Sequence, residues 1–185
     1  MADPQIREAT RIVEAASNAR PAVIRSFFDE DTFTVTHVIS DPATAKAAII
    51  DSVLDFDPAS GRTSFASADK VIDYIRSEGL EVEWLLETHA HADHLSAAPY
   101  LQEKLGGTLA IGRHILTVQE VFGKIFNEGT RFARDGSQFD RLFDDGDRFR
   151  VGSIEAIALH VPGHTPADMT YVIGDAAFIG DTLFM

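Results

Sequence analysis

Residues 82–94 have the sequence Val-Glu-Trp-Leu-Leu-Glu-Thr-His-Ala-His-Ala-Asp-His, in which a predicted buried strand leads directly into three histidines and an aspartate. His89 and His91 are two residues apart in an extended turn and can therefore point the same way. Asp93 and His94 follow one step later and can face a second position. Histidine occurs seven times in the chain and no other stretch clusters it. We therefore interpret this run as an array of metal ligands rather than as a solvated polar loop.

Two further candidate ligands follow later predicted strands, each beside small turn-forming residues. His164 lies in the sequence Val-Pro-Gly-His-Thr at 161–165, and Asp181 lies in Phe-Ile-Gly-Asp-Thr at 178–182. Glycine and proline at such positions favour tight turns, which hold a side chain rigidly at a strand end. Alone, each residue is typical of an ordinary turn. Beside the histidine run, both are predicted to contribute to the metal site.

The composition limits the classes of partner and ligand. A chain of 185 residues with 45% hydrophobic and 24% charged residues is typical of one globular domain. Its net charge of −13 argues against nucleic acid and membrane surfaces as partners, because both bind clustered Lys and Arg. No apolar run approaches the roughly 18 residues that span a bilayer, and Met1 opens no leader-like segment, so we expect a cytoplasmic protein. Because cysteine is absent, any metal must be held by His, Asp or Glu.

Helical and strand periodicities alternate along the chain. Apolar spacing before Pro21 predicts an N-terminal helical extension over residues 1–21, and residues 22–185 are predicted to form one domain. A helix is predicted from an N-cap at Ser67 to Gly79. Further helices are predicted at 97–105 and 115–126, and strands at 33–39, 47–50, 82–86, 109–111, 154–159, 170–173 and 177–179. This alternation predicts the α/β class.

The order and spacing of the motifs resemble the metallo-β-lactamase superfamily. The resemblance rests on the histidine run at 88–94, Pro-Gly-His-Thr at 162–165, Gly-Asp-Thr-Leu-Phe at 180–184, and Ala-Ile-Ile-Asp at 48–51, which looks like the second strand of that family. It implies an αββα sandwich. Since the sequence ends directly after a predicted strand, we expect the N-terminal portion of that fold, with the C-terminal half incomplete.

Within the superfamily, Asp-Phe-Asp-Pro at 55–58 and the stretch 129–140 look most like the persulfide dioxygenase branch. That likeness implies that His89, His164 and Asp181 hold a single iron. Such a 2-His-1-carboxylate set leaves open positions on Fe(II) where a persulfide sulfur and O₂ can bind side by side. The implied function is oxidation of glutathione persulfide or a similar small thiol-derived substrate. Fe(II) is the metal that this branch implies, ahead of Zn or Mn.

Two alternatives stay open. In the related glyoxalase II thioesterases, His89, His91, His164 and Asp181 would form one site, and Asp93, His94 and a bridging Asp181 most of a second. A metal-bound hydroxide would then attack a hydroxyacylglutathione thioester, with Asp93 as the catalytic residue that orients it. In that family the second metal site also includes a histidine later in the sequence, and no histidine follows Asp181 here. The other alternative is an inactive, truncated metal-binding remnant. A homo-oligomer is compatible with either, and His37, His114 and His160 are predicted not to be ligands.

Overall fold

The computed structural model describes residue 11, residues 21–129 and residues 132–183. The predicted N-terminal extension therefore lies outside the described residues, except for Arg11 and Pro21. Within the described ranges the strands are β1 Val23–Phe28, β2 Val35–Ser40, β3 Lys46–Ile50, β4 Val53–Asp57, β5 Arg62–Ser64, β6 Glu81–Leu86, β7 Leu95–Ser96, β8 Thr108–Gly112, β9 Arg141–Phe143, β10 Arg148–Val151, β11 Ile154–His160, β12 Met169–Ile173 and β13 Ala176–Phe178. The α-helices are α1 Ala66–Ser77, α2 Ala98–Leu105 and α3 Ile115–Ile125, and a 3-10 turn covers Gly180–Thr182.

The larger sheet has the strand order β1-β2-β3-β6-β8-β9. Strands β1, β2 and β3 pair antiparallel, whereas β3, β6, β8 and β9 pair parallel. Helices connect the parallel strands, so β3 and β6 are covered on both faces and consist largely of apolar residues. The α/β class predicted from the sequence is confirmed.

The second sheet is antiparallel, in the order β10-β11-β12-β13, and it packs face to face on the first. Aromatic side chains of both sheets fill the space between them, with Phe143 from the first sheet against Phe149 and Tyr171 from the second. On the other face of the first sheet, α1 and α2 bury Val71, Ile72, Ile75 and Leu101. The described residues thus supply three consecutive layers, helices, sheet and sheet, of the predicted αββα arrangement. No helix among them is long and apolar enough to cross a membrane.

Local details differ from the sequence-based expectations at several places. Strand β1 was not predicted, because its residues are mostly exposed and give no clear alternation. The prediction of Ser67 as N-cap was wrong: α1 already begins at Ala66, and the Asp55 carboxylate accepts hydrogen bonds from the Ser67 backbone N–H at 3.0 Å and hydroxyl at 2.6 Å. No strand was predicted between residues 127 and 147, where the structure has β9, the last strand of the first sheet.

A buried aspartate joins the two sheets at the end of the sandwich where β3 begins. Asp41 accepts hydrogen bonds from the backbone N–H and hydroxyl of Ser153, both at 2.7 Å, from the Ala43 N–H at 2.9 Å and from the Thr44 hydroxyl at 2.8 Å. Burial raises the pKa of Asp41, but these hydrogen bonds outweigh burial and hold the pKa well below its usual value. We call these four residues the Asp41 cluster.

Candidate metal centre

Three of the predicted ligands meet at the opposite end of β3, although they come from distant parts of the sequence. His89 follows β6, His164 follows β11 and Asp181 lies in the 3-10 turn after β13. Their ligand atoms all lie within 4.8 Å of one another. Asp181 Oδ2 is 4.0 Å from His89 Nε2 and 3.7 Å from His164 Nε2. We call His89, His164 and Asp181 the three-ligand group.

Hydrogen bonds fix the backbone segments that carry these ligands. The Thr88 carbonyl accepts a hydrogen bond from Met169 N–H at 2.9 Å, which ties the histidine run to β12. In the loop that carries His164, the Asp168 carboxylate accepts hydrogen bonds from the backbone N–H and hydroxyl of Thr165. The histidine run is therefore held by β12, and the loop that carries His164 is held by hydrogen bonds within itself.

The hydrogen bonds of Thr88 determine which nitrogen of His89 is available. The Thr88 hydroxyl donates to Asp51 Oδ2 at 2.8 Å, so its oxygen accepts from His89 Nδ1–H at 2.9 Å. His89 Nε2 then carries a lone pair, and this atom is buried without a hydrogen-bond partner among the described residues. Burial and the neighbouring His91 lower the pKa of His89, which favours the neutral ring. A buried lone pair that faces another imidazole and a carboxylate suits a transition-metal cation.

His91 is held differently from its neighbour. Its Nε2 atom lies 3.2 Å from Asp51 Oδ1 and 3.0 Å from Glu87 Oε2. Burial lowers the pKa of His91, but the hydrogen bonds to Asp51 and Glu87 outweigh burial and raise the pKa to about 10. For Asp51 the two effects have the opposite directions. Burial raises its pKa, and the hydrogen bonds from His91 and Thr88 outweigh burial and lower the pKa below its usual value. His91 Nε2 thus faces two carboxylates, and the pairing of His91 with His89 on one metal stays a prediction.

The remaining two predicted ligands form a second group with His91. Ligand atoms of His91, Asp93 and His94 lie within 4.8 Å of one another. His94 Nδ1 is 3.1 Å from the Leu95 carbonyl, to which it donates, while its Nε2 is buried without a partner among the described residues. Burial raises the pKa of Asp93, but its own backbone N–H and the nearby His94 and His91 lower it below the usual value. Like the three-ligand group, this second group has two imidazoles and one carboxylate, with one buried, one half-buried and one exposed residue.

Two buried acidic residues next to the ligands were absent from the predicted site. Asp51 and Glu87 share a further group with His91, in which the ligand atoms also lie within 4.8 Å. Each follows directly on a buried apolar strand, Asp51 after β3 and Glu87 after β6. A carboxylate at the end of an apolar strand, next to a ligand array, is the signal that identifies them.

Two cavities flank the histidine run. The larger, of about 650 Å³, is lined by Phe33, Asp51, Asp93 and Asp181 together with the start and end of β13. The smaller, of about 280 Å³, lies against His94 and has a largely apolar wall formed by Leu95, Pro99, Ile111, Ile115 and Phe139.

The other three histidines lie outside these groups. His37 packs its ring on Phe178, and its Nδ1 is 2.9 Å from the Ser26 hydroxyl. His114 and His160 stack with ring centroids 4.0 Å apart, and His160 Nε2 donates to the Pro166 carbonyl at 2.9 Å. None of the three belongs to a described group of metal-ligating side chains.

Comparison with known proteins identifies one matching family model and several relatives of this chain. A family model described as the metallo-beta-lactamase superfamily matches residues 32–185. A probable metallo-hydrolase of Burkholderia pseudomallei is 55% identical over 172 residues, which cover 88% of this chain and 58% of that protein. Glyoxylase B2 of Dictyostelium discoideum is 47% identical over 166 residues, with coverages of 89% and 57%.

More distant relatives belong to one named enzyme. The human mitochondrial persulfide dioxygenase ETHE1 is 28% identical over 188 residues, which cover 100% of this chain and 62% of that protein. The crystal structure of ETHE1 from Myxococcus xanthus superposes with a TM-score of 0.66 at 28% identity, covering 88% of this chain and 59% of that chain. The chain therefore spans less than two thirds of the length of each of these four proteins.

Proposed function

Because the chain belongs to the metallo-beta-lactamase superfamily, we propose that it carries the metal centre of an iron-dependent dioxygenase for glutathione persulfide or a similar small persulfide. One observation carries the proposal. The ligand atoms of two imidazoles and one carboxylate, the three-ligand group, lie within 4.8 Å of one another, while His91 Nε2 is hydrogen-bonded to Asp51 and Glu87 instead. A 2-His-1-carboxylate set leaves positions open on Fe(II) for a substrate atom and O₂.

The described residues supply binding and orientation rather than redox chemistry. Bound iron would supply the electron transfer between sulfur and O₂, for which no side chain of this cysteine-free chain is suited. His89, His164 and Asp181 would hold the ion, and the Thr88–Asp51 hydrogen bonds present His89 Nε2 to it. The cavity of about 650 Å³ beside Asp181 falls within the usual range of small-molecule sites, so it has room for a tripeptide persulfide. The two ETHE1 relatives support this branch of the family.

The test compares two reactions on one preparation. Oxygen uptake with glutathione persulfide and hydrolysis of an acyl-glutathione thioester are measured in parallel, together with the metal content of protein purified without added metal. We expect oxygen uptake to exceed thioester hydrolysis and iron to be the main metal. His164→Ala should abolish both metal retention and oxygen uptake, and the matched His114→Ala variant should preserve them, because His114 lies outside the three-ligand group.

A second candidate function is a glyoxalase II-like thioester hydrolase that uses zinc, manganese or iron. The group of His91, Asp93 and His94 favours it, since these side chains would hold a second ion and Asp93 would orient a metal-bound hydroxide. The similarity to glyoxylase B2 also favours it. Faster thioester cleavage with two equivalents of metal would replace the dioxygenase proposal by this one. Metal binding with neither activity would point to the inactive remnant.

A further inference from the structure

We propose that Glu87 is a positioning residue of the metal centre: together with Asp51 it fixes the His91 ring with a hydrogen on Nε2 and withholds that nitrogen from the metal. The inference rests on the metal centre of the proposed function. It goes further by assigning the residue that decides how His91 is presented to an ion.

Glu87 is itself held rigidly. Its side chain is buried, and both of its carboxylate oxygens are used: Oε1 accepts from the Ser96 hydroxyl at 2.5 Å and Oε2 lies 3.0 Å from His91 Nε2. The Ser96 oxygen in turn accepts from the Ala98 N–H at 3.1 Å, at the start of α2. The Glu87 carbonyl accepts from the Tyr171 hydroxyl at 2.9 Å. Contacts from β7, α2 and β12 thus fix one carboxylate on the His91 ring.

The partners of His91 determine the position of its hydrogen. An ionised carboxylate only accepts hydrogen bonds. Because Glu87 Oε2 and Asp51 Oδ1 both face His91 Nε2, at 3.0 and 3.2 Å, this nitrogen must donate and has no lone pair for a metal. Only Nδ1 of this ring can be offered to an ion.

The neighbouring histidine shows the opposite arrangement. His89 donates from Nδ1 to the Thr88 hydroxyl and keeps its Nε2 lone pair toward the three-ligand group. The two rings lie only 4.2 Å apart between centroids, so the hydrogen bonds of His91 act directly beside the three-ligand group. Asp51 acts on both rings, through Thr88 on His89 and directly on His91. Of these two rings, the Glu87 carboxylate contacts only that of His91. Its removal therefore separates the effect on His91 from the effect on His89.

The experiment uses the whole 185-residue chain with ¹⁵N-labelled histidine, loaded with ¹¹³Cd²⁺. In the wild type we expect ¹¹³Cd–¹⁵N coupling to Nε2 of His89, none to Nε2 of His91, and a slowly exchanging His91 Nε2–H signal. Glu87→Leu removes the acceptor, and we expect the Nε2–H signal to exchange faster or disappear. Metal affinity of the group of His91, Asp93 and His94 should fall about 10–100-fold, the range for residues that orient metal ligands. Glu87→Gln retains an acceptor oxygen and should restore the slow signal.

Two further variants keep the test decisive. Ser96→Ala removes the hydrogen bond that aligns Glu87 without touching His91, and it should accelerate exchange of the Nε2–H signal even where Glu87→Leu fails to fold. Glu120→Leu, an exposed glutamate on α3 whose partner is Lys124, should change neither signal nor affinity. Coupling of cadmium to His91 Nε2 in the wild type would overturn the inference, and so would an unchanged Nε2–H signal in both Glu87→Leu and Ser96→Ala. Oxygen uptake is measured separately, so its absence would remove the proposed function and leave this result standing.

Discussion

The two ends of β3 carry buried aspartates with different surroundings. Asp41 precedes the strand and Asp51 follows it, with exposed fractions of 1% and 7%. Hydrogen bonds hold the pKa of each carboxyl below its usual value. The donors to Asp41 are backbone N–H groups and hydroxyls of residues with no metal-ligating atoms. The donors to Asp51 are Thr88 and His91, which adjoin or belong to the histidine run.

This difference separates stability from metal binding. The hydrogen bonds of Asp41 end within the Asp41 cluster, and they join two turns of the sandwich. Those of Asp51 continue through Thr88 to His89, whose Nε2 is buried and has no partner in the described part of the chain. A buried carboxylate can thus complete a structural cluster or orient a metal ligand. The residues that donate hydrogen bonds to it show which of these two roles it has. Substitutions at the Asp41 end should change stability alone, while those at the Asp51 end should change metal affinity.

The largest effect is expected from removing a ligand at the Asp51 end. His164→Ala should weaken metal binding by more than about 100-fold, above the range for residues that only orient ligands. The side chain of His164 is 40% exposed, so the fold itself should be preserved. Competition with a chelator measures the affinity, and thermal unfolding in excess chelator measures the stability. His114→Ala is the matched control, and equal metal loss in the two variants would show that the ligand assignment is wrong.

Next in size is the exchange of each aspartate for asparagine. Asp51→Asn should lower metal affinity about 10–100-fold, because an amide NH₂ in place of Oδ2 cannot accept from the Thr88 hydroxyl while Oδ1 accepts from the Thr88 N–H and His91. Asp41→Asn should leave the affinity unchanged and lower the free energy of unfolding by about 1–3 kcal/mol, the cost of buried donors left without acceptors. Chelator competition and denaturant unfolding of both variants test this. A loss of affinity in Asp41→Asn would mean that the two ends of β3 are coupled.

The three candidate ligands were accessible from the sequence because each one stands in a local motif. The histidine run, Pro-Gly-His-Thr and Gly-Asp-Thr point to His89, His164 and Asp181 without knowledge of the sheet. Asp51 and Glu87 were missed because their meeting depends on strand register: Ile50 of β3 pairs with Leu86 of β6, which places the two acidic residues side by side. The register of two parallel strands is set by packing between segments that are distant in the sequence, and a local sequence pattern does not determine it.

Two glycines extend the comparison with a smaller effect. Gly180 has φ +52° and lies against Thr88, while Gly152 has φ +59° and lies against Thr44 and Asp41. A methyl group would overlap these side chains, and a positive φ strains alanine by about 1–3 kcal/mol. Gly180→Ala should therefore weaken metal binding about 10-fold through the Thr88–His89 contact, at the low end of the range for orienting residues. Gly152→Ala should reduce stability without changing metal affinity.

Strain and overlap are distinguished by a third glycine. Gly61 has φ +67° in an exposed turn, and a methyl group there meets no atom within 4 Å. Gly61→Ala therefore reports the backbone strain alone, measured by denaturant unfolding. If it destabilises the protein as much as Gly152→Ala does, contact with the Asp41 cluster contributes nothing.

The smallest expected effect is a difference in pH dependence between the two ends, measured on metal-free protein. The pKa of Asp41 is lowered in the folded state, so its stabilising contribution is present above the unfolded pKa of about 3.9 and is lost as pH falls through the folded pKa. The difference in unfolding free energy between wild type and Asp41→Asn should shrink only below about pH 4. The pKa of His91 is raised to about 10, so the contribution of its contact with Asp51 is full below the unfolded pKa of about 6.5 and is lost as pH rises through about 10.

The alkaline range therefore discriminates between the ends of β3. Between about pH 6.5 and 10 the difference between wild type and Asp51→Asn should decrease, because His91 is deprotonated in the unfolded chain but keeps its proton beside the carboxylate in the folded protein. Over the same range the difference for Asp41→Asn should stay constant, since no donor to Asp41 is a histidine. Urea unfolding at closely spaced pH values measures both curves. The titration changes only one protonation state, whereas the substitutions above remove whole interactions. Parallel curves for the two variants would mean that His91 is neutral in the folded protein, and the contrast between a structural and a ligand-orienting aspartate would then rest on metal affinity alone.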